Sequence, residues 1–171
     1  MLGGEAASQP SALELEVTGL FDEYRRPLLR YLLSMGLTVQ DGEEVVQEVF
    51  LALFQHLRDG KPRHNLRGWI FQVGHNQGLK VRRNRSTDAL ELLEDRADLA
   101  PDPEQQATAG ERERRIAGVI AALSDQDRAC LSLKAEGFRY REIAEIAGIS
   151  LGSVAGSIER SLGKLTRVME R

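Results

Sequence analysis

Apolar residues recur along the chain every three or four positions in several separate runs, never in the strict alternation of a strand. Leu20, Phe21, Tyr24, Leu28, Leu32 and Met35 share one helical face, with Gly36 as a stop. Val45, Val46, Val49, Phe50, Leu53 and Leu57 mark a second helix from Asp41 to Leu57. Asp41 suits its N-cap, and Glu43 and Glu44 lie in the first turn, where the helix dipole favours negative charge. The stretch "RDGKPRHN" interrupts the pattern with Gly60 and Pro62, and a third helix starts near Leu66, packing through Trp69, Ile70 and Val73.

A second periodic block follows. Ile116, Val119, Ile120 and Leu123 share a face, and Ser124 stands three residues before Asp127 as in a capping box. Gly137 ends the next helix, and "YREIAEIAG" and "SLGSVAGSIERSLGKLTRVMER" supply two more. Ala144, Gly148, Ile149 and Val154 have the spacing of a helix-turn-helix: a small residue at the crossing, a flexible turn, then a buried helix. An ordinary helical hairpin shares the same pattern. At 100° per residue, Val154, Ile158, Leu162, Leu165 and Met169 form the expected inner stripe of the last helix. Its outer face is small and neutral in the first turns, with Gly152, Ser153, Gly156 and Ser157, and basic only later, with Arg160, Lys164 and Arg167.

The expected fold is all-α: a helical bundle over residues 13–87 and a helix-turn-helix domain over 111–171, joined by an acidic flexible linker over 88–110. A short helix fits residues 89–94, and residues 1–12 are small, polar and expected to be disordered.

Charge sharpens this picture because it is segregated. The 171 residues carry a net charge of only −3. Yet residues 31–57 hold four acids and no Lys or Arg, residues 61–87 hold seven bases and no acid, and residues 88–104 hold seven acids against Arg96. Three clusters alternating in sign suggest segments that face different partners, although any one cluster fits a solvated face. One cysteine excludes a disulfide framework and a four-thiolate zinc site, and fits a reducing cytoplasm. No apolar run approaches the roughly 18 residues of a membrane span, and the first residues lack the charge and apolar pattern of a signal peptide, so no membrane insertion is expected. His56, His64 and His75 have no metal-ligand spacing with Cys130, and no phosphate-binding loop or activated nucleophile occurs. Neither an enzyme nor a cofactor or metal is expected.

Two stretches, "DGEEVVQEVFLALFQHL" and "LRGWIFQVGHNQGLKVRRNRS", together with the last block, resemble the extracytoplasmic-function (group IV) sigma factors of bacterial RNA polymerase, members of the sigma-70-like family. The likeness spans roughly residues 15–85 and 112–170. The family pattern D-x-E-[ED]-[LV]-V-Q-E-x-F-L is met by Asp41, Glu43, Glu44, Val45, Val46, Gln47, Glu48, Phe50 and Leu51. Trp69, Ile70, Phe71, Val73 and Asn76 match a second element, and Leu123, Arg128, Leu131, Tyr140, Glu142, Ile143, Ala144, Glu145, Ile146, Gly148 and Ile149 match a third.

The resemblance implies a transcription initiation factor that binds core RNA polymerase, directs it to promoter DNA and assists melting. Polymerase docking then falls to Asp41, Glu44, Gln47 and Glu48. The loop from Gly60 to Gly68 resembles one that holds an extruded base, with His64, Asn65, Trp69 and Asn76 as contacts, while Lys80, Arg82, Arg83 and Arg85 suit phosphates. Trp69 fits a core position better than a base platform. Upstream contact falls to Ser150, Ser153, Ser157, Arg160, Lys164 and Arg167, although "VAGSIERSL" departs from the basic run of many relatives and Arg139 replaces a capping Ser or Thr. An anti-sigma factor is a further implied partner. A free-standing helix-turn-helix regulator and a sigma-like adaptor with reduced DNA contact stay open as alternatives.

Overall fold

A computed structural model describes residues 8–88 and 110–171. Among these residues there are seven helices and no strand: α1 (Ala12–Ser34), α2 (Val39–Arg58), α3 (Leu66–Asp88), α4 (Glu111–Ala122), α5 (Asp125–Ala135), α6 (Tyr140–Ala147) and α7 (Leu151–Met169). Helices α1 to α3 pack together as one block, and α4 to α7 form the other. The expected acidic linker lies almost wholly outside the described residues, and so does the expected helix at 89–94.

Two helices begin earlier than their apolar patterns suggest. Helix α1 starts at Ala12, where Ser11 Oγ accepts the Glu14 amide at 3.1 Å. The cap of α2 is Thr38 rather than Asp41: Thr38 is extended, and its Oγ1 accepts the Asp41 amide at 3.1 Å. This places Asp41 inside the first turn, where its side chain is buried and Arg85 of α3 approaches Oδ2 at 2.5 Å as an ion pair. In the second block Ser124 caps α5 through the Asp127 amide, as its spacing suggests.

Leu28, Tyr31, Leu32, Val49, Leu53, Ile70 and Phe71 fill the first core. Tyr31 and His75 meet inside it, with Oη 2.6 Å from Nδ1. The second block buries Cys130, Leu133, Ile143, Val154 and Ile158. Gly148 turns the chain from α6 into α7 in the left-handed region, φ 65°, where a Cβ would be strained.

The two cores touch. Phe138, between α5 and α6, is buried edge-on against Phe71 of α3, their ring centroids 4.9 Å apart. The Arg67 guanidinium lies over the Phe138 ring, 4.0 Å from its centroid, and donates to the Glu136 carbonyl. Such stacking of a guanidinium on an aromatic face joins charge and apolar contact at one point.

Candidate binding surfaces

Helix α2 divides cleanly between core and solvent. Val45, Val46, Val49, Phe50 and Leu53 are buried, whereas Glu43, Glu44, Gln47, Glu48, Leu51 and Gln55 are exposed. Glu44, Gln47, Glu48 and Leu51 follow one another at helical spacing and make a single stripe. Leu51 is 60% exposed, a large apolar side chain beside two carboxylates. The fold leaves it largely uncovered. The sequence pattern places Leu51 in the motif but not in the site; the signal for it is its spacing, three residues after Glu48. Asp41, expected in this set, points inward to Arg85 instead.

The loop before α3 is built around Asn65. It adopts φ 52°, a left-handed conformation that Asn tolerates better than most residues. There its Oδ1 accepts the Gly68 amide at 3.2 Å and its carbonyl accepts the Trp69 amide at 3.1 Å, closing the first turn of α3. A Cβ on Gly68 would lie 2.5 Å from Asn65 Nδ2, so glycine is needed to let the side chain reach back. His56 of α2 supports the loop from behind: Nε2 pairs with the Pro62 carbonyl at 2.9 Å, and its ring lies 4.8 Å from that of Trp69. Trp69 is therefore partly buried and packed, while His64, Asn65, Gln72, Asn76 and Lys80 are exposed. Gln72 was not expected here; it stands four residues before Asn76, on the same face of α3. The basic tract that follows is partly engaged, Arg82 with Asp125 of α5 and Arg85 with Asp41.

The last helix is turned relative to its expected stripe. Val154 and Ile158 are buried as expected, but Ser157 and Ser161 are buried too, while Leu162 and Met169 are 50% and 51% exposed. The small serines let α5 come close: Gln126 Nε2 donates to Ser157 Oγ at 3.2 Å, and Ser161 Oγ donates to the Ser157 carbonyl at 2.7 Å. Ser157 thus faces inward, away from any groove. Arg160 donates to the Asp127 carboxylate from Nη2 at 2.9 Å and from Nε at 3.3 Å. Ser150 caps the helix through the Ser153 amide at 3.1 Å and bonds the Ser153 hydroxyl at 2.8 Å. Lys164 and Arg167 remain exposed on the later turns.

The fold thus presents an exposed acidic and apolar stripe on α2, a basic helix behind a fixed loop, and a pair of helices joined by the Gly148 turn. Two family models cover these parts: residues 20–87 match Sigma-70 region 2, and residues 113–165 match Sigma-70, region 4. RNA polymerase sigma factor CnrH of Cupriavidus metallidurans is 30% identical over 148 residues, covering 80% of this chain and 78% of CnrH. ECF RNA polymerase sigma factor RpoE of Cereibacter sphaeroides is 26% identical over 88% of this chain and 84% of its own length. Among solved structures, the sigma factor RpoE in complex with the anti-sigma factor NepR from Bartonella quintana shares the fold at a TM-score of 0.69. That match has 19% identity and covers 91% of this chain and 97% of the other. The chain belongs to the extracytoplasmic-function sigma factors of the sigma-70 family, transcription initiation factors that direct RNA polymerase to promoters.

Proposed function

We infer that residues 13–87 dock the protein on core polymerase and contact the downstream promoter element, that 88–110 connect the two arms, and that 111–171 contact the upstream element. The stripe of Glu44, Gln47, Glu48 and Leu51 carries this reading: it joins negative charge to an uncovered apolar side chain, as a basic protein partner with an apolar centre requires. On the downstream side, His64, Asn65, Gln72 and Asn76 offer hydrogen-bonding groups along one edge of α3 and its loop, and Lys80 adds a charge for phosphate. Trp69 and His56 support that loop rather than face the nucleic acid. Upstream, Lys164 and Arg167 position the helix on phosphates, and the capped turn at Ser150 and Ser153 presents small groups to the groove. So lightly charged a recognition helix contributes little affinity alone, and polymerase supplies the rest.

The protein acts by binding rather than by catalysis, and works in the cytoplasm where polymerase resides. Among the described residues no helix is long and apolar enough to cross a membrane. The solved CnrH structure, with a TM-score of 0.60 and 23% identity over 90% of this chain and 87% of that one, holds the cytosolic domain of CnrY. By that precedent a protein antagonist is a fitting partner for this chain too.

The deciding experiment is transcription by purified core enzyme on a genomic library, with and without the protein. Protein-dependent starts that share an upstream motif are expected. Their absence would leave a sigma-like adaptor.

A further inference from the structure

The loop between α2 and α3 is tied down at both ends. At the α3 end, Asn65 accepts the Gly68 amide at 3.2 Å and closes the first turn. At the α2 end, His56 holds the chain twice. Its own carbonyl accepts the Lys61 amide at 3.2 Å, and its ring Nε2 lies 2.9 Å from the Pro62 carbonyl. A carbonyl oxygen only accepts, so Nε2 carries the proton of this bond and donates it. The same ring lies 4.8 Å, centroid to centroid, from that of Trp69, whose amide bonds the Asn65 carbonyl. Between the two ends Arg63 is paired with Glu16 of α1. His64 and Asn65 are thus exposed on a segment whose flanks are fixed.

His56 also joins two surfaces. It follows Leu51 on α2, so the helix that carries the exposed stripe grips the loop at its far end. Gly60, at φ 72°, turns the chain out of α2, and Pro62 has no amide N–H with which to tie itself down. The bond from His56 to the Pro62 carbonyl therefore acts where the backbone has least hold of its own. Loops ordinarily move more than the elements they connect. A site that chooses among bases by hydrogen-bond geometry needs its groups fixed in advance, because ordering them on binding uses up part of the affinity.

We propose that His56 is a positioning residue for base selection. Its donor to Pro62 and its ring against Trp69 hold the loop so that His64 and Asn65 meet one extruded base in one geometry. His56 acts through those two residues and does not itself touch the base. This rests on the reading that the loop faces the downstream promoter element.

The test uses holoenzyme assembled from core polymerase and the full-length protein, on a promoter recovered from the genomic library. His56→Leu keeps an apolar side chain against Trp69 and removes the donor. His56→Gln supplies an N–H that can again reach the carbonyl. Each is given a pool of that promoter randomised across the downstream element, every member marked by a transcribed barcode, and base preference is read by sequencing the transcripts. Preference is a ratio within one sample, so a fraction of unfolded protein does not shift it. His56→Leu should weaken the preference at one position of the element about tenfold, the size of one hydrogen-bonded base contact, and still co-elute with core polymerase. His56→Gln should recover most of the preference. A side chain that only stabilised the fold would lower all promoters alike. The proposal is overturned if His56→Leu keeps the wild-type preference, whatever its total activity, or if His56→Gln is no nearer to wild type than His56→Leu. His64→Ala with Asn65→Ala, run beside them, separates the two possible failures. Altered preference there and none in His56→Leu discards only the positioning role, and unaltered preference in both discards the loop as a DNA surface as well.

Discussion

Arg160, the first basic residue of the last helix, is exposed yet paired: its Nη2 lies 2.9 Å from Oδ1 of Asp127, a carboxylate whose side chain is 5% exposed. The pair ties α7 to α5, so it sets the angle at which the recognition helix leaves the block. Replacing Arg160 by Ala leaves a buried carboxylate without its charged donor and is expected to destabilise the fold, read as a lower urea midpoint. Lys164→Ala and Arg167→Ala should leave that midpoint unchanged and weaken upstream promoter binding by holoenzyme. The hydrogen bonds from Arg160 hold the Asp127 carboxyl below its usual value, helped by Ser157 and Ser124 and opposed by burial. Its stabilising effect is therefore complete above the unfolded-state value of about 4 and is lost as pH falls through the lower folded value. Asp127→Asn should flatten the stability profile in that acid range.

Tyr31 and His75 form the corresponding pair in the first core. Burial pushes the Tyr31 hydroxyl well above its usual range, so it stays protonated where it pairs with Nδ1 of His75. Burial, with the charge of Arg82 nearby, pushes His75 down and keeps it neutral. A histidine that folds neutral stabilises fully above its unfolded value of about 6.5, and that contribution fades as pH drops below it. Wild type should thus lose stability as pH falls below about 6.5, and His75→Gln should show a flatter profile there. Tyr31→Phe removes the hydroxyl from this buried pair and should cost about 1–2 kcal/mol by denaturant titration.

These two pairs mark where sequence reading stops. The periods of α2 and the block-by-block charge are legible because burial and solvation act residue by residue along a helix. Partner choice is not. Asp41 and Arg85 are 44 positions apart, and each reads as a free surface charge until α3 crosses α2 and pairs them. Ser157 reads as outward because a hydroxyl is polar, yet at a close helix crossing a small side chain is worth more than a large apolar one. Leu162 and Met169 are displaced to solvent for the same reason. Asn65 stands out in the sequence for its amide, and the structure adds why it can stand there: the left-handed turn and the missing Cβ of Gly68 together fix the loop. Gly68→Ala should therefore loosen the loop and reduce promoter opening, with little effect on polymerase binding.

The docking stripe on α2 makes separable predictions. Glu44→Lys with Glu48→Lys reverses its charge on an exposed face and should leave the circular dichroism spectrum intact while abolishing co-elution with core polymerase. Leu51→Ala tests the apolar centre: loss of a side chain buried on docking should weaken binding by roughly tenfold, or about 1–2 kcal/mol, without lowering the melting temperature. Retained co-elution of the charge-reversed protein would place the docking surface elsewhere.

The glycines of the C-terminal helices test whether their cost has a purpose. Gly118 of α4 and Gly163 of α7 are interior helical positions where an added Cβ would meet no atom within 4 Å, so nothing in the fold requires them. Each should gain about 0.5–1 kcal/mol on replacement by Ala, measured by denaturant titration. Gly152 also has open space around it, but it lies in the first turn of the recognition helix, where a DNA backbone would approach. Gly152→Ala should leave the fold at least as stable and reduce upstream promoter binding by holoenzyme, whereas Gly163→Ala should stabilise without that loss. Equal promoter binding by both variants would show that the small first turn is not read by DNA.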